Sequence, residues 1–186
     1  MARFYEDLRL YGLDAHTLGG VLGLVIGSFV NLALDRLPLM WATDAHRQHE
    51  QDERFEERLR QHLREQTLSL SRPARSFCFS CGHQLRWWEN LPVMSFLLQR
   101  GRCRSCGQGY GVRTLVVEAG HGGVYALLWG VVSEPLWALW VSFGFSFWAS
   151  LGYLSVSGMI PPVGKRPLLI AFALIHLGSG VLLLSR

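Results

Sequence analysis

Four apolar stretches without any charged side chain constrain the fold of this chain more than any other feature. They cover residues 17–34, 119–133, 135–164 and 167–185. A helix that crosses the hydrocarbon layer of a membrane needs about 20 mostly apolar residues, and its backbone groups satisfy one another where water is absent. We therefore predict an all-α polytopic membrane protein with about four transmembrane helices. The predicted spans are 17–36, 114–132, 135–154 and 167–185.

The overall composition agrees with a membrane chain and argues against several other classes. The 186 residues are 49% apolar and only 17% charged, whereas soluble domains carry about 25% charged residues. These values exclude a disordered chain. Of the 18 basic residues 17 are arginine, but the net charge is only +4 and acidic residues are interleaved with the basic ones. We therefore expect no nucleic-acid partner.

The first apolar stretch has the position of a signal peptide but not its flanking residues. Acidic side chains at Glu6, Asp7 and Asp14 precede it, and no small-residue cleavage site follows it. We interpret it as a retained span, so that residues 1–38 form an N-terminal segment and the first transmembrane helix.

The largest polar region follows this span and covers residues 39–112, with 11 basic and 8 acidic side chains. Its first part, 44–68, is dense in charge and predicts an exposed, solvated helix rather than a dedicated partner site. Its second part, 72–112, is rich in cysteine, glycine, tryptophan and arginine. Residues 113–186 then form three further transmembrane helices.

Basic side chains near the span ends predict the orientation in the membrane. They lie at Arg36, Arg47, Arg100, Arg102, Arg104, Arg113, Lys165 and Arg166. Because basic residues are enriched on the cytoplasmic side of membrane proteins, the large polar loop is predicted to be cytoplasmic. Both chain ends are then predicted to lie outside.

All four cysteines fall in the second part of the loop, as two Cys-X2-Cys pairs that are each followed by glycine. The pairs are Cys78 with Cys81 and Cys103 with Cys106. Such pairs supply four sulfur ligands to one structural zinc ion, and a four-thiolate shell leaves no open position for catalysis. The alternative is two disulfides, which the reducing cytoplasm disfavours. His83 is then not needed as a ligand.

The segment between the two cysteine pairs, residues 86–100, carries a large apolar and aromatic load. Two interpretations remain open for it. The segment could lie at the membrane interface, where tryptophan is enriched, or it could form a core beneath the zinc site.

Several motifs of this chain occur together in a known order. They are Gly27–Pro38 closing the first span, the two cysteine pairs around Trp87–Pro92, Gly101–Cys103, Arg113 and Glu118. Together they resemble the N-terminal half of the bacterial type IV prepilin peptidases. Members of that family are polytopic inner-membrane enzymes that cut the leader from prepilins and pseudopilins and then methylate the new N-terminus.

This resemblance implies a bacterial inner-membrane location and a role in type IV pilus or type II secretion. It implies prepilin or pseudopilin as a partner, with membrane lipid around the spans, and S-adenosylmethionine as a cofactor if methyltransferase activity is retained. It also marks residues with a role in methyl transfer or prepilin recognition. They are Gly101, Arg102, Arg113 and Glu118.

Peptidase activity is not expected, because an aspartic peptidase needs two carboxylates that share a proton. After Glu118 the only acidic residue is Glu134, which the predicted topology places on the opposite side of the membrane. Where the family carries its first aspartate motif, this chain has Ser155 and Ser157. We therefore predict no catalytic residue, and a truncated, aspartate-lacking member.

Other polar side chains within the predicted spans are interpreted as structural. Glu118 lies near the start of its helix, where Arg113 or Arg36 could pair with it. His121, His176, Asn31 and Ser28 are interpreted as packing or hydrogen-bonding residues. The Gly178–Val181 segment, which has no acid, is interpreted as a small-residue packing face.

Three functions remain open. The first is a non-proteolytic relative that binds prepilin, or contacts a full-length peptidase or the secretion machinery. The second is an N-methyltransferase without the peptidase half. The third is one part of a split peptidase whose aspartates come from another chain.

Overall fold

The structure, a computed structural model, describes residues 14–41, 68–159, 167, 169–171 and 173–177. The predicted charged helix lies outside these residues, apart from Leu68, which is not helical. The small-residue face predicted at 178–181 also lies outside them.

The described part of the chain is mainly helical, as predicted. It holds α1 (Ala15–Trp41), a 3₁₀ helix (Trp87–Asn90), α2 (Met94–Leu98), α3 (Val112–Val131) and α4 (Pro135–Val156). Helical residues recur at 167, 169–171 and 173–177. The described residues contain no strand, only two isolated β-bridges.

The ends of the long helices follow from local chemistry. The Asp14 carboxylate accepts a hydrogen bond from the backbone N–H of Thr17 at 2.7 Å, which caps the start of α1. Pro135 occupies the first turn of α4, where its missing N–H costs nothing. Gly158, at φ +69°, follows the last turn of α4 and takes the left-handed conformation that ends many helices.

Two of the described helices are long and apolar enough to cross a membrane. They are Ala15–Leu37 within α1 and Pro135–Val156, and only 33% and 22% of their apolar windows are buried. A core helix of a soluble protein would be mostly buried, so this exposure supports membrane association. Helix α3 has the length of a span but carries the charged residues Arg113 and Glu118. It is not one of these two candidate spans. These two helices correspond to the first and third of the four predicted spans.

The chain forms two compact units, one of residues 1–27 and 118–186 and the other of residues 28–117. In the first unit, the start of α1 packs closely against α3 through glycines. A Cβ atom added at Gly19 would lie 2.6 Å from the Cβ atom of Trp129, and one at Gly23 would lie 2.7 Å from the Cβ atom of Tyr125. Small residues permit such close approach of membrane helices.

The same unit contains buried polar contacts between helices. The hydroxyls of Tyr125 and Ser146 lie 2.7 Å apart and join α3 to α4. The ring of His176 stacks on Trp140, with centroids 4.3 Å apart, and its Nε2 atom lies 3.1 Å from the Trp140 carbonyl oxygen. His176 is therefore placed as a packing residue between helices.

Candidate metal centre

The first cysteine pair lies in a short turn within the second unit. The N–H of Cys78 donates to the carbonyl of His83 at 2.9 Å, and the N–H of Gly82 donates to the carbonyl of Cys78 at 2.8 Å. Gly82 adopts φ +73°, a conformation that a side chain would strain. The glycine after the pair thus lets the chain turn back while both thiols stay on one side.

The second pair repeats this geometry. The N–H of Cys103 donates to the carbonyl of Gln108 at 2.7 Å, the N–H of Gly107 donates to the carbonyl of Cys103 at 2.8 Å, and Gly107 adopts φ +74°. We call residues 72–112, which contain both turns, the zinc lobe, after the metal that the sequence predicts.

The two turns bring the four sulfur atoms within 4.8 Å of one another. The Sγ atoms of Cys78 and Cys106 are 3.8 Å apart, and those of Cys81 and Cys103 are 3.9 Å apart. A tetrahedral zinc ion with Zn–S bonds of about 2.3 Å requires sulfur–sulfur distances of about 3.8 Å. All four cysteines are free, not disulfide-bonded, so the arrangement fits a metal ion and not the disulfide alternative.

The four thiols differ in burial. Cys78 and Cys103 are 3% and 2% exposed, whereas Cys106 is exposed. Burial raises the pKa of the Cys78 thiol to about 12. Burial also opposes ionisation of Cys103, but the backbone N–H groups of Cys106 and Ser105 outweigh it and lower the pKa of that thiol to about 6. A divalent cation would stabilise all four thiolates, because the thiolate is the form that binds metal.

His83 has a partner outside the sulfur cluster. Its Nε2 atom lies 3.1 Å from the Glu89 Oε2 atom, which also accepts the backbone N–H of Arg86 at 2.8 Å. Burial favours the neutral acid at Glu89, but the hydrogen bonds from Arg86 and His83 prevail and lower the pKa of its carboxyl. This contact agrees with the interpretation that His83 is not a metal ligand.

The second unit also contains the C-terminal end of α1, and several hydrogen bonds hold the zinc lobe and its flanks to that helix. Arg36 donates to the carbonyl oxygens of Ser69 at 2.8 Å, Leu70 at 3.1 Å and Arg75 at 3.3 Å. The sequence offered Arg36 as a partner for Glu118. It did not reveal this role, because the three carbonyls lie 33 to 39 residues away in the chain.

The start of α3 is joined to α1 in the same unit. Arg113 forms an ion pair with Asp35, and the Asn31 amide donates to the carbonyl of Thr114 at 3.0 Å. The interpretation of Asn31 as an interhelical hydrogen bonder agrees with this contact. The sequence proposed Glu118 as the partner of Arg113 and gave no indication of the ion pair with Asp35.

Two of the four residues predicted for methyl transfer or prepilin recognition line one cleft. Gly101 and Arg102 line an open cleft of about 440 Å³ in the zinc lobe. Arg113 lies in the same unit, whereas Glu118 is buried in the other unit. The lining of the cleft consists of Phe96, Arg100, Gly101, Arg102, Cys106, Gly107, Gln108, Gly109, Gly111 and Val112. The roles of the four predicted residues stay predictions.

Gly101 has a steric reason to be glycine. It adopts φ +65°, and a Cβ atom there would lie 2.7 Å from the Cζ atom of Phe96. We expect Gly101→Ala to lower the free energy of unfolding of the zinc lobe by about 1 to 3 kcal/mol, through left-handed strain and the displaced ring. The loss of stability should appear as faster release of metal from the variant than from the wild-type chain when a chelator is added.

Two neighbouring glycines provide matched controls. A Cβ atom at Gly109 would have its nearest neighbour 3.9 Å away, so Gly109→Ala should release metal at the wild-type rate. Gly111 adopts φ +78°, and a Cβ atom there would have no neighbour within 4 Å. Gly111→Ala therefore tests backbone strain without steric overlap, and its rate of metal release should lie between those of the Gly101 and Gly109 variants. Equal behaviour of the Gly101 and Gly109 variants would contradict the steric account.

Fold and site together define a mainly helical, membrane-associated protein with a four-cysteine site that could hold a metal ion. The family model described as "Bacterial Peptidase A24 N-terminal domain" matches residues 21–132. This match covers more than half of the chain, and the chain belongs to that family. The predicted resemblance to prepilin peptidases is thereby confirmed.

Several similar proteins are named "Prepilin leader peptidase/N-methyltransferase". The protein from Pseudomonas putida is 45% identical over 108 residues, which are 56% of this chain and 34% of the relative. The protein from Neisseria gonorrhoeae is 32% identical over 146 residues, which are 75% of this chain and 46% of the relative. The chain thus spans less than half the length of these relatives. No solved structure matches it significantly.

Proposed function

We propose that this chain is a prepilin-binding protein of the bacterial inner membrane that does not itself cut the leader. The observation that carries the proposal is the family match over residues 21–132, which includes the four-cysteine site. Because relatives bear the name prepilin leader peptidase/N-methyltransferase, the partner proposed here is a prepilin or pseudopilin of a type IV pilus or type II secretion system.

The proposed metal is a structural zinc ion held by the four cysteines. Sulfur–sulfur distances of 3.8 and 3.9 Å support zinc, and four thiolates close its coordination shell. The ion would stabilise the two turns and leave the lobe surface free for binding. A metal at this site would supply no activated water, so cleavage would need other groups.

The proposed topology has four spans, with the zinc lobe in the cytoplasm. Residues 68–111 contain six arginines and a single acidic residue, Glu89, so the positive-inside rule supports a cytoplasmic lobe. The apolar helices Ala15–Leu37 and Pro135–Val156 support two of the spans. Helix α3 and the stretch from 167 to 185 would supply the others.

The proposed lack of peptidase activity rests on the residues at the end of α4. Ser155 and Ser157 stand where the family's resemblance leads us to expect carboxylates. The Ser155 hydroxyl donates to the carbonyl of Leu151 at 2.8 Å, and Ser157 lies at the C-terminal cap of the helix. Neither hydroxyl can share a proton with a second acid as a catalytic aspartate does.

A second function, N-methylation of an already cut pilin, is favoured by the cleft beside Gly101 and Arg102. Its volume of about 440 Å³ is within the range of small-molecule sites. S-adenosylmethionine would be the cofactor in that case. Since Gly101 also has a steric role, Arg102 is the better residue for testing this function.

The decisive experiment uses the purified full chain in lipid nanodiscs with three substrates. We expect it to bind a prepilin, to leave the prepilin uncut, and to transfer no label from S-adenosylmethionine to a cut pilin. Leader cleavage would overturn the proposal. Methyl transfer would replace it with the second function.

An arginine pair provides a matched control for the binding arm. Arg102 precedes the second cysteine pair and lines the cleft. Arg104 lies two residues further on, between Cys103 and Cys106, and is not part of the lining. We expect Arg102→Ala to weaken prepilin binding by roughly tenfold, which corresponds to about 1.4 kcal/mol, and Arg104→Ala to leave it nearly unchanged. Equal losses would assign the effect to general charge and not to the cleft.

A further inference from the structure

The segment between the two cysteine turns exposes several large apolar side chains. Trp87 is 71% exposed and Leu98 is 74% exposed. Leu91, Met94 and Leu97 are exposed as well, and we call these five residues the apolar band. Five exposed large apolar side chains within twelve residues of one folded lobe favour a binding site for a partner or a membrane.

The exposed charge around the apolar band is positive. The flanking residues Arg86 and Arg100 are exposed, whereas the one acid of the lobe, Glu89, is only 4% exposed. Anionic lipid headgroups attract basic side chains close to the membrane surface, and tryptophan is enriched at the same depth. The charge and the aromatic content therefore favour an anionic bilayer as the occupant.

The zinc lobe is also held to the end of an apolar helix within the same unit. Arg36 lies one residue before the end of the candidate span Ala15–Leu37. Its guanidinium donates to the carbonyl of Arg75 within the lobe and to that of Ser69 just before it. The lobe is thus tied to the point where a membrane-spanning helix would leave the bilayer. The membrane surface would therefore lie next to the point at which the lobe is attached.

A strained turn lies between Leu91 and Met94, two residues of the apolar band. Val93 adopts φ +61° and ψ −50°, and the N–H of Met94 donates to the carbonyl of Pro92 at 2.6 Å. A β-branched residue rarely adopts a positive φ, and the strain persists only where surrounding structure enforces it. Such strain concentrates at functional segments, and here the turn separates the 3₁₀ helix from α2.

We infer that the apolar band inserts into the headgroup layer of an anionic bilayer, with Arg86 and Arg100 against lipid phosphates. This docking rests on the proposed function only through the assignment of Ala15–Leu37 as a membrane span. It would restrict the zinc lobe to the membrane surface. A protein segment is the competing occupant, and the experiment below distinguishes the two.

The test places the photoreactive residue p-benzoylphenylalanine at one position at a time in the full chain. The chain is held in nanodiscs of phosphatidylglycerol and phosphatidylethanolamine. Positions Leu98 and Met94 report on the apolar band, Val25 reports on the span, and Ser80 is an exposed polar position of the first cysteine turn. Zinc content is measured for each variant to check that the lobe is folded. Because two positions of the apolar band are tested, one variant that fails to fold does not decide the result.

We expect lipid adducts at Leu98 and Met94 at about ten times the yield at Ser80, because the band would lie among acyl chains and headgroups. In discs of phosphatidylcholine alone, the yield at Leu98 should fall by about threefold while the yield at Val25 stays constant. An unchanged yield at Leu98 would overturn the role of anionic lipid.

The remaining outcomes separate this inference from the proposed function. Adducts at Val25 without adducts at Leu98 and Met94 would overturn the docking and leave the span intact. No adduct at Val25 would overturn the span and the docking together. If prepilin added before irradiation replaces lipid as the molecule crosslinked at Leu98, the apolar band would be assigned to the protein partner and the lipid surface would be overturned.

Discussion

Replacing Cys78 with serine is expected to abolish metal binding and to unfold the zinc lobe. Zinc should fall from about one ion per chain to near zero, because serine is a poor ligand for this metal and only three sulfurs remain. The side chain of Cys78 is 3% exposed, so a water molecule has little room to take the empty position. Elemental analysis of the chain in detergent or nanodiscs measures the loss.

The size of this effect follows from the small core of the lobe. Structural zinc contributes about 10 to 16 kcal/mol to the folding of zinc-finger peptides. The described lobe has short turns, two isolated bridges and a largely exposed apolar segment. Without the ion, little apolar burial remains to hold the two cysteine turns together.

Two variants serve as controls for the cysteine prediction. Ser80→Ala changes an exposed residue between two ligands and should keep the full zinc content. Cys106 is exposed, so a water ligand can replace its sulfur, and Cys106→Ser should keep part of the metal at saturating zinc. Full zinc retention by Cys78→Ser under reducing conditions would rule out the four-sulfur site.

Gly23→Ala is expected to produce the second large effect, by separating α1 from α3. The added Cβ atom would overlap the carbonyl of His121 and lie 2.7 Å from the Cβ atom of Tyr125. A backbone carbonyl cannot move aside as a flexible side chain can, so the helices must shift apart. We expect the free energy of unfolding to fall by about 2 to 3 kcal/mol, measured by thermal or SDS-induced unfolding in detergent.

Neighbouring glycines again provide controls. A Cβ atom at Gly20 would lie 3.5 Å from the Cβ atom of Ala126, an ordinary contact, and one at Gly123 would have no neighbour within 4 Å. Gly20→Ala and Gly123→Ala should therefore be neutral or slightly stabilising, since alanine favours the helix. A Gly23 variant as stable as the Gly20 variant would show that the two helices do not pack as closely as described.

Much of the candidate metal site was predictable because its geometry is local. A Cys-X2-Cys-Gly segment specifies a tight turn and the direction of two thiols within a few residues, and the structure shows this turn at Cys78 and again at Cys103. That the two turns meet at one metal ion was inferred only from the four ligands that a structural zinc ion requires. The apolar band was left with two interpretations, because sequence does not report which apolar side chains stay exposed.

The positions of the three long helices and the four cysteines of the candidate metal site could be predicted from the sequence alone, since hydropathy and close spacing are properties of neighbouring residues. The three-dimensional arrangement was needed to find the ion pair of Asp35 with Arg113, the carbonyls bound by Arg36 and the close approach at Gly23. These contacts join residues 33 to 102 positions apart. No local pattern distinguishes the correct partner from other charged or small residues at such separations, so packing of the whole chain selects it.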